Sequence, residues 1–175
     1  MKYIEDPKQL MKDIAEMNKL RGSSTATLLT LHPGTGMIRG YYLGDSVYAF
    51  ANSKVHGHRV MEIQEHQFNC PYSIGDMYGD DPGKGKYKEH SIEELSQGEV
   101  VIVASDGIWD NLKWPMIHRI LEEEDQSLQE KANFMAKTAN HYGKLKYYES
   151  PFYKRGSSYE GKLDDVAVIL ANIVK

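Results

Sequence analysis

The sequence predicts a mixed α/β (α+β) fold, and three observations carry that reading. Val100-Val101-Ile102-Val103 is a continuous apolar run that ends in Ala104-Ser105-Asp106-Gly107, the pattern of a buried strand entering a turn. Residues 37–43 and 47–50 are further strand-like runs, parted by Gly44-Asp45-Ser46. Residues 7–20, 114–121 and 128–141 carry apolar side chains at helical spacing. The 175-residue length suits one domain. Apolar content of 41% is ordinary for a globular chain, and no apolar run approaches the ~18 residues of a membrane span. The polar N-terminus has neither a signal nor a transit pattern. A net charge of −4 argues against a dedicated nucleic-acid binder. Neither nucleic acid nor membrane is therefore expected as a partner. The single cysteine, Cys70, has no basic neighbour in sequence, which favours a packing role and is compatible with a reducing compartment.

The first helix follows from Asp6 as N-cap, Pro7 at the first helical position, and Leu10, Ile14 and Met17 on one face. Arg21-Gly22-Ser23-Ser24 breaks it, and residues 27–31 read as a strand. His32-Pro33-Gly34-Thr35-Gly36 is a turn that lacks the lysine and helix of a phosphate loop. Residues 37–43 return as a strand, and Gly44-Asp45 marks a bulge or tight reversal before residues 47–50. Residues 54–59 read as a solvated turn and 60–63 as a short strand. His56 and His58 flank Gly57, but no further zinc ligands stand at a convincing spacing. Residues 66–85 read as a long irregular loop, 87–95 as holding a short strand, and 96–99 as a turn. Pro115 belongs in the first turn of a helix with Met116, Ile117, Ile120 and Leu121 on one stripe. Ser127 caps the next helix, which Gly143 ends. Residues 144–162 read as a second long loop, and Asp164-Asp165 leads into a final apolar strand up to Val174.

Several carboxylates stand at strand ends beside glycine or a second acid: Asp45, Asp106 with Asp110, and Asp164 with Asp165. Grouped carboxylates repel, and a hard divalent cation relieves that repulsion through oxygen ligands. Mg²⁺ or Mn²⁺ is the expected ion, because no Cys/His set accompanies the acids. Acid-Gly pairs are common turn formers, and each acid alone is more often structural.

Gly22-Ser23-Ser24-Thr25-Ala26, Gly44-Asp45-Ser46, Ala104-Ser105-Asp106-Gly107-Ile108-Trp109-Asp110-Asn111 and Asp164-Asp165-Val166-Ala167-Val168-Ile169 come in a telling order. Together they resemble the later motifs of the metal-dependent type 2C (PPM) protein serine/threonine phosphatases. Ser150-Pro151-Phe152 and Gly161-Lys162 look like the branch with mitochondrial and plastid members. The resemblance implies an antiparallel β-sandwich flanked by helices. It implies hydrolysis of phosphoserine or phosphothreonine by water activated between metal ions. Asp106 and Asp164 then resemble ligands of a core metal, and Asp45 and Asp110 resemble ligands of a weaker one. Asp165 resembles an orienting neighbour, with Ser105 and Gly107 flanking the Asp106 ligand.

Members of that family also carry an early acid, an arginine that holds phosphate and an Asp-Gly whose acid bridges two metals. Residues 1–21 contain no Asp-Gly, and Arg21 abuts a later motif. Residues 1–175 are therefore expected to be one N-terminally incomplete type 2C-like domain, with 1–21 as a leading helix and 22–175 as the matching region. No complete catalytic set is expected in this chain, and its activity alone is expected to be weak or nil. The alternative is a non-catalytic phosphatase-like binding or regulatory module. The expected partners are a phosphoprotein substrate and a missing N-terminal segment or another chain. The expected location is intracellular: cytoplasmic, with mitochondrial as the alternative. A third reading, a sandwich whose acids are only turn residues, expects Asp45, Asp106 and Asp164 not to converge.

Overall fold

The computed structural model describes residues 7–17, 21–32, 37–75, 88–92, 98–156 and 160–172. In chain order the elements are α1 (Pro7–Met17), β1 (Ser23–Ser24), β2 (Ala26–Leu31), β3 (Ile38–Leu43) and β4 (Val47–Asn52). A 3₁₀ turn (Ser53–Val55) follows, then β5 (Gly57–Val60), β6 (Glu65–Gln67), β7 (Cys70–Pro71), β8 (Ile74–Gly75) and β9 (Lys88–Ile92). The second half holds β10 (Glu99–Ala104), α2 (Asp106–Trp109), α3 (Trp114–Glu122), α4 (Leu128–Gly143), α5 (Pro151–Arg155) and β11 (Val168–Asn172). The chain divides into two compact units, residues 1–46 with 62–95, and residues 47–61 with 96–175.

The first unit holds the antiparallel sheet β2-β3-β9 and two small ribbons, β1-β8 and β6-β7. Met11 of α1 packs with Tyr41, Leu43 and Ile74 in its core, with Ala15 against them; the face expected from Leu10, Ile14 and Met17 is not the buried one, since Ile14 and Met17 are exposed. Gly44 has a φ of +100°, and a side chain there would run into Thr25 and the Tyr72 carbonyl. Only glycine fits that turn. The expected bulge is corrected: β3 lies in the three-stranded sheet, whereas β4 lies in the other unit's sheet, so the turn separates two strands of different sheets. The predicted loop over 66–85 also differs, since β6, β7 and β8 occupy part of it.

The second unit is a four-stranded antiparallel sheet, β11-β10-β4-β5, with helices packed on it. β10 pairs with β4 and β11 on its two sides, and its residues from Val100 to Val103 are buried or half-buried on both faces, which is why that run is apolar at every position. The core joins Ala49, Ala51, Ile102 and Ala104 of the strands to Ile108, Ile117, Leu121, Met135 and Ala139 of the helices. Ser127 forms a capping box with Glu130 at the start of α4. Lys131 donates to the Leu121 carbonyl at 2.6 Å, serving a free acceptor at the end of α3. Two further expectations are corrected. The strand expected over 60–63 is β5, at residues 57–60. The loop over 144–162 contains α5, which starts where Ser150 accepts from the Tyr153 amide at 2.9 Å and Pro151 takes the first turn. The Asp6 cap, the 33–36 turn, the 76–87 loop segment, residues 96–97 and residues 173–174 lie outside the described residues.

Candidate metal centre

The second unit carries the site. β10 ends at Ala104, and Ser105 ties that end to the approach of β11. Its amide donates to the Ala167 carbonyl at 3.0 Å, and its hydroxyl accepts from the Ala167 amide at 3.0 Å. Asp106 then opens the four-residue α2, and Asp110 follows at its C-terminal end, 2% exposed. Gly107 explains how Asp164 arrives beside them. A Cβ at Gly107 would collide with the Asp165 carbonyl and stand 3.0 Å from Val166. The missing side chain lets the 164–166 backbone lie directly against α2.

A fourth residue gathers these acids. Lys162 places its ammonium against Asp106 Oδ2, 3.0 Å from Asp110 Oδ2 and 3.2 Å from Asp164 Oδ2. Arg155 of α5 pairs with the other Asp110 oxygen, Oδ1. Asn111, 1% exposed, holds Lys162 by its backbone. The Asn111 amide donates to the carbonyls of Lys162 (2.7 Å) and Gly107 (3.0 Å), and its oxygen accepts from the Lys162 amide at 2.9 Å. Gly143 and Gly161 permit the same docking: a Cβ on Gly143 would come within 2.8 Å of the Lys162 carbonyl, and one on Gly161 would strike the Tyr142 carbonyl. Phe152 places its ring 5.4 Å from the ammonium.

Electrostatics follow from this arrangement. Burial works against the Lys162 charge, yet hydrogen bonds to Asp106 and Asp110 and their fields hold its pKa above the ordinary lysine range. Burial raises the Asp110 carboxyl, Lys162 and Arg155 pull it down, and Asp106 adds a smaller push upward.

The structure thus brings together Asp106, Asp110 and Asp164 around one cation. Asp165 is exposed; its carbonyl faces Gly107 and accepts from the Ser105 hydroxyl at 3.4 Å. Its amide donates to Asp164 Oδ1 at 2.8 Å, which orients that carboxylate. Asp45 lies in the first unit, 5% exposed, at the Gly44 turn. The sequence reading missed Lys162, Arg155 and Asn111 as site residues. Asn111 sits four residues after Gly107 and one after Asp110, so its spacing from the motif was available; its partner, fifty-one positions on, was not.

Three carboxylates on one positive centre are the hard oxygen donors that Mg²⁺ or Mn²⁺ takes, so the residues fit such an ion in kind. In placement they are turned to Lys162, and among the described residues no three His, Cys, Asp or Glu side chains are drawn round one point as ion ligands.

Comparison with known proteins agrees with this arrangement of motifs. No family profile matches the chain. Protein phosphatase PTC7 homolog fig of Drosophila mojavensis is 32% identical over 192 aligned positions, covering 96% of this chain and 60% of that protein. A protein of Oryza sativa subsp. japonica, classed provisionally as protein phosphatase 2C 23, is 29% identical, covering 88% of this chain and 51% of that protein. In sequence and in fold the chain is similar to type 2C (PPM) protein phosphatases. It spans little more than half the length of these type 2C relatives. The X-ray structure of the photosystem II phosphatase PBCP matches with a TM-score of 0.86 at 22% identity, over 97% of this chain and 71% of that one. The fold class is therefore the type 2C one. Among the described residues no helix is long and apolar enough to cross a membrane.

Proposed function

We propose that this chain carries the later-motif carboxylates of a Mg²⁺- or Mn²⁺-dependent protein phosphatase that hydrolyses phosphoserine and phosphothreonine. The observation that carries the reading is the convergence of Asp106, Asp110 and Asp164 on a single cation position at the end of β10. Similarity to type 2C protein phosphatases supports the reaction class.

In this reading Asp106 and Asp164 hold a core ion and Asp110 serves a weaker one. A divalent ion in such a site lowers the pKa of water and screens phosphoryl oxygens. The chain's own residues do the positioning. Gly107 lets the Asp164 segment approach, the Asp165 amide fixes the Asp164 carboxylate, and Asn111 fixes Lys162 among the acids. Lys162 neutralises the acids in the fold and has to yield part of its contact when a divalent ion is held. Residues 1–21 contain no Asp-Gly to supply the bridging carboxylate of the family's two-metal centre. Without that carboxylate and a phosphate-holding arginine, electrostatic preorganisation for phosphoryl transfer is incomplete. These 175 residues alone are therefore expected to turn over substrate slowly or not at all.

The test is phosphate release from a phosphothreonine peptide in millimolar Mn²⁺. Weak or absent release by the chain is the expected result. Turnover at ordinary enzymatic rates, abolished by chelator and by Asp106→Asn, would keep the reaction class and overturn the incomplete-centre reading. Turnover that survives both treatments would overturn the metal-dependent chemistry itself.

A further inference from the structure

The carboxylate centre is flanked by a segment of opposite charge. Residues 144–162 hold five lysines and arginines against two acids, in a chain whose net charge is −4. That segment is fastened to the turn that carries the acids. The Phe152 amide donates to the Asp110 carbonyl at 3.0 Å, and the Tyr148 hydroxyl donates to the Asn111 carbonyl at 3.0 Å. Arg155 pairs with Asp110, and Lys162 with all three acids, so the centre itself takes up these two cations. Lys146 and Lys154 remain. Both are exposed, and neither forms an ion pair among the described residues. Lys154 directly precedes Arg155 on α5. Lys146 stands opposite Glu160 in a backbone bridge, and the Glu160 carbonyl accepts from the hydroxyl of Ser150, the α5 cap, at 2.8 Å.

Tyr147 adds an aromatic contact between them in sequence. Its ring is 84% exposed, and its φ of +64° lies in the left-handed region, which a side chain enters at a cost. Costly backbone of that kind concentrates at ligand contacts. Tyr148 gives it a fixed base: its hydroxyl is bonded to Asn111, its ring centre is 4.6 Å from that of Tyr142, and the Lys113 ammonium is 5.2 Å from its ring.

We propose that α5 and the 144–149 loop form a substrate-docking face beside the centre, selective for phosphopeptides whose phosphoresidue is flanked by acidic residues. Lys146 and Lys154 are its specificity-determining residues. This inference rests on the phosphatase reading above and names its substrate class. A phosphoryl group held at the acids through a divalent ion keeps the neighbouring residues of its peptide close to α5, because α5 is bonded to Asp110 itself. Asp106, Asp110 and Asp164 do not repel an acidic peptide, since Lys162 and Arg155 already neutralise them. Exposed lysines opposite peptide carboxylates steer the encounter and fix its register. A nucleic-acid strand offers the same charge, but the acidic balance of the whole chain works against it.

The experiment is fluorescence anisotropy of labelled probes titrated with the whole chain in millimolar Mn²⁺. The probes are a phosphothreonine peptide with Asp and Glu on both flanks, the same peptide with Asn and Gln there, the acidic peptide without phosphate, and a short RNA. The acidic phosphopeptide is expected to bind at least ~5-fold more tightly than the neutral-flank one at low salt, and the preference is expected to shrink as salt shortens the Debye length. Lys146→Gln and Lys154→Gln are each expected to cut the preference about 2- to 5-fold, the range for an exposed ion pair. Circular dichroism checks that both variants keep the fold, and the parent chain's preference tests the face independently of them. Acidic preference that needs neither Mn²⁺ nor the phosphate group supports the face and overturns the metal-dependent reading. Mn²⁺-dependent phosphopeptide binding without acidic preference overturns the face and keeps that reading. No binding of any peptide overturns the face, as does a preference unchanged in the double lysine variant or tighter binding of the RNA than of the acidic phosphopeptide.

Discussion

Lys162→Met removes the one cation shared by Asp106, Asp110 and Asp164, and its cost can be worked from their exposure. The lysine side chain is 15% exposed, and its acid partners are 21%, 2% and 38% exposed in that order. Removing one partner of a buried pair costs about 3–5 kcal/mol, because the other charge is left without compensation. Only Asp110 is buried to that degree, and Arg155 still pairs with it. Asp106 and Asp164 reach water, so their pairs are screened and add at most ~1 kcal/mol each. The expected loss is about 2–4 kcal/mol. Urea unfolding measures it as a fall in midpoint at unchanged slope, by ~1–2 M for a slope near ~2 kcal/mol/M. Millimolar Mn²⁺ is expected to recover more stability in the variant than in the parent chain, since a bound ion stabilises by mass action and the freed acids bind it better. An unchanged midpoint would refute the charge argument. An equal Mn²⁺ response in both proteins would refute the idea that lysine and ion share one position.

Three further outcomes follow. Gly107→Ala places a methyl group against the Asp165 carbonyl and is expected to cost about 1–3 kcal/mol in urea unfolding, with weakened Mn²⁺ binding as the 164–166 segment shifts. Asn111→Asp turns a two-bond amide donor into an acceptor facing the Gly107 and Lys162 carbonyls; it is expected to lower stability more than Asn111→Ala, which itself costs about 2–4 kcal/mol for several lost bonds in a buried place. Burial holds His58 and His118 below the ordinary value of 6.5, with His56 and Glu122 facing them, so the folded chain binds fewer protons than the unfolded one just below that pH. Their contribution is complete above pH 6.5 and is lost as pH falls toward the depressed folded values, the larger share coming from buried His118 because solvent screens the exposed His58. Urea unfolding from pH 7 to 5 checks this, and the slope is expected to be shallower in His58→Gln.

The strands and helices were legible wherever a local pattern fixes them. β10 is apolar from Val100 to Val103, where both faces of the strand are buried or half-buried, and α3 and α4 announce themselves by Pro115 and Ser127. The Gly44-Asp45 turn was found but its role was not, because the strands on its two sides look alike in sequence and belong to different sheets. α5 was missed inside a Tyr- and Gly-rich stretch, although Ser150-Pro151 is a cap followed by a first-turn proline. In the site, acids at strand ends were visible, but the cation they meet was not. A lone lysine beside a glycine carries no local signal. Its place is set by Asn111 and by the close approach of Gly143 and Gly161, which are contacts between segments far apart in the chain.

Calorimetric titration of Mn²⁺ into the chain, its Asp106→Asn variant and its Asp164→Asn variant tests the carboxylate centre most directly. The prediction is measurable binding by the parent chain and at least a ~10-fold loss in each variant, given that each removes one hard oxygen ligand. Equal affinity in all three proteins would contradict it and leave the acids as turn residues paired to a structural lysine.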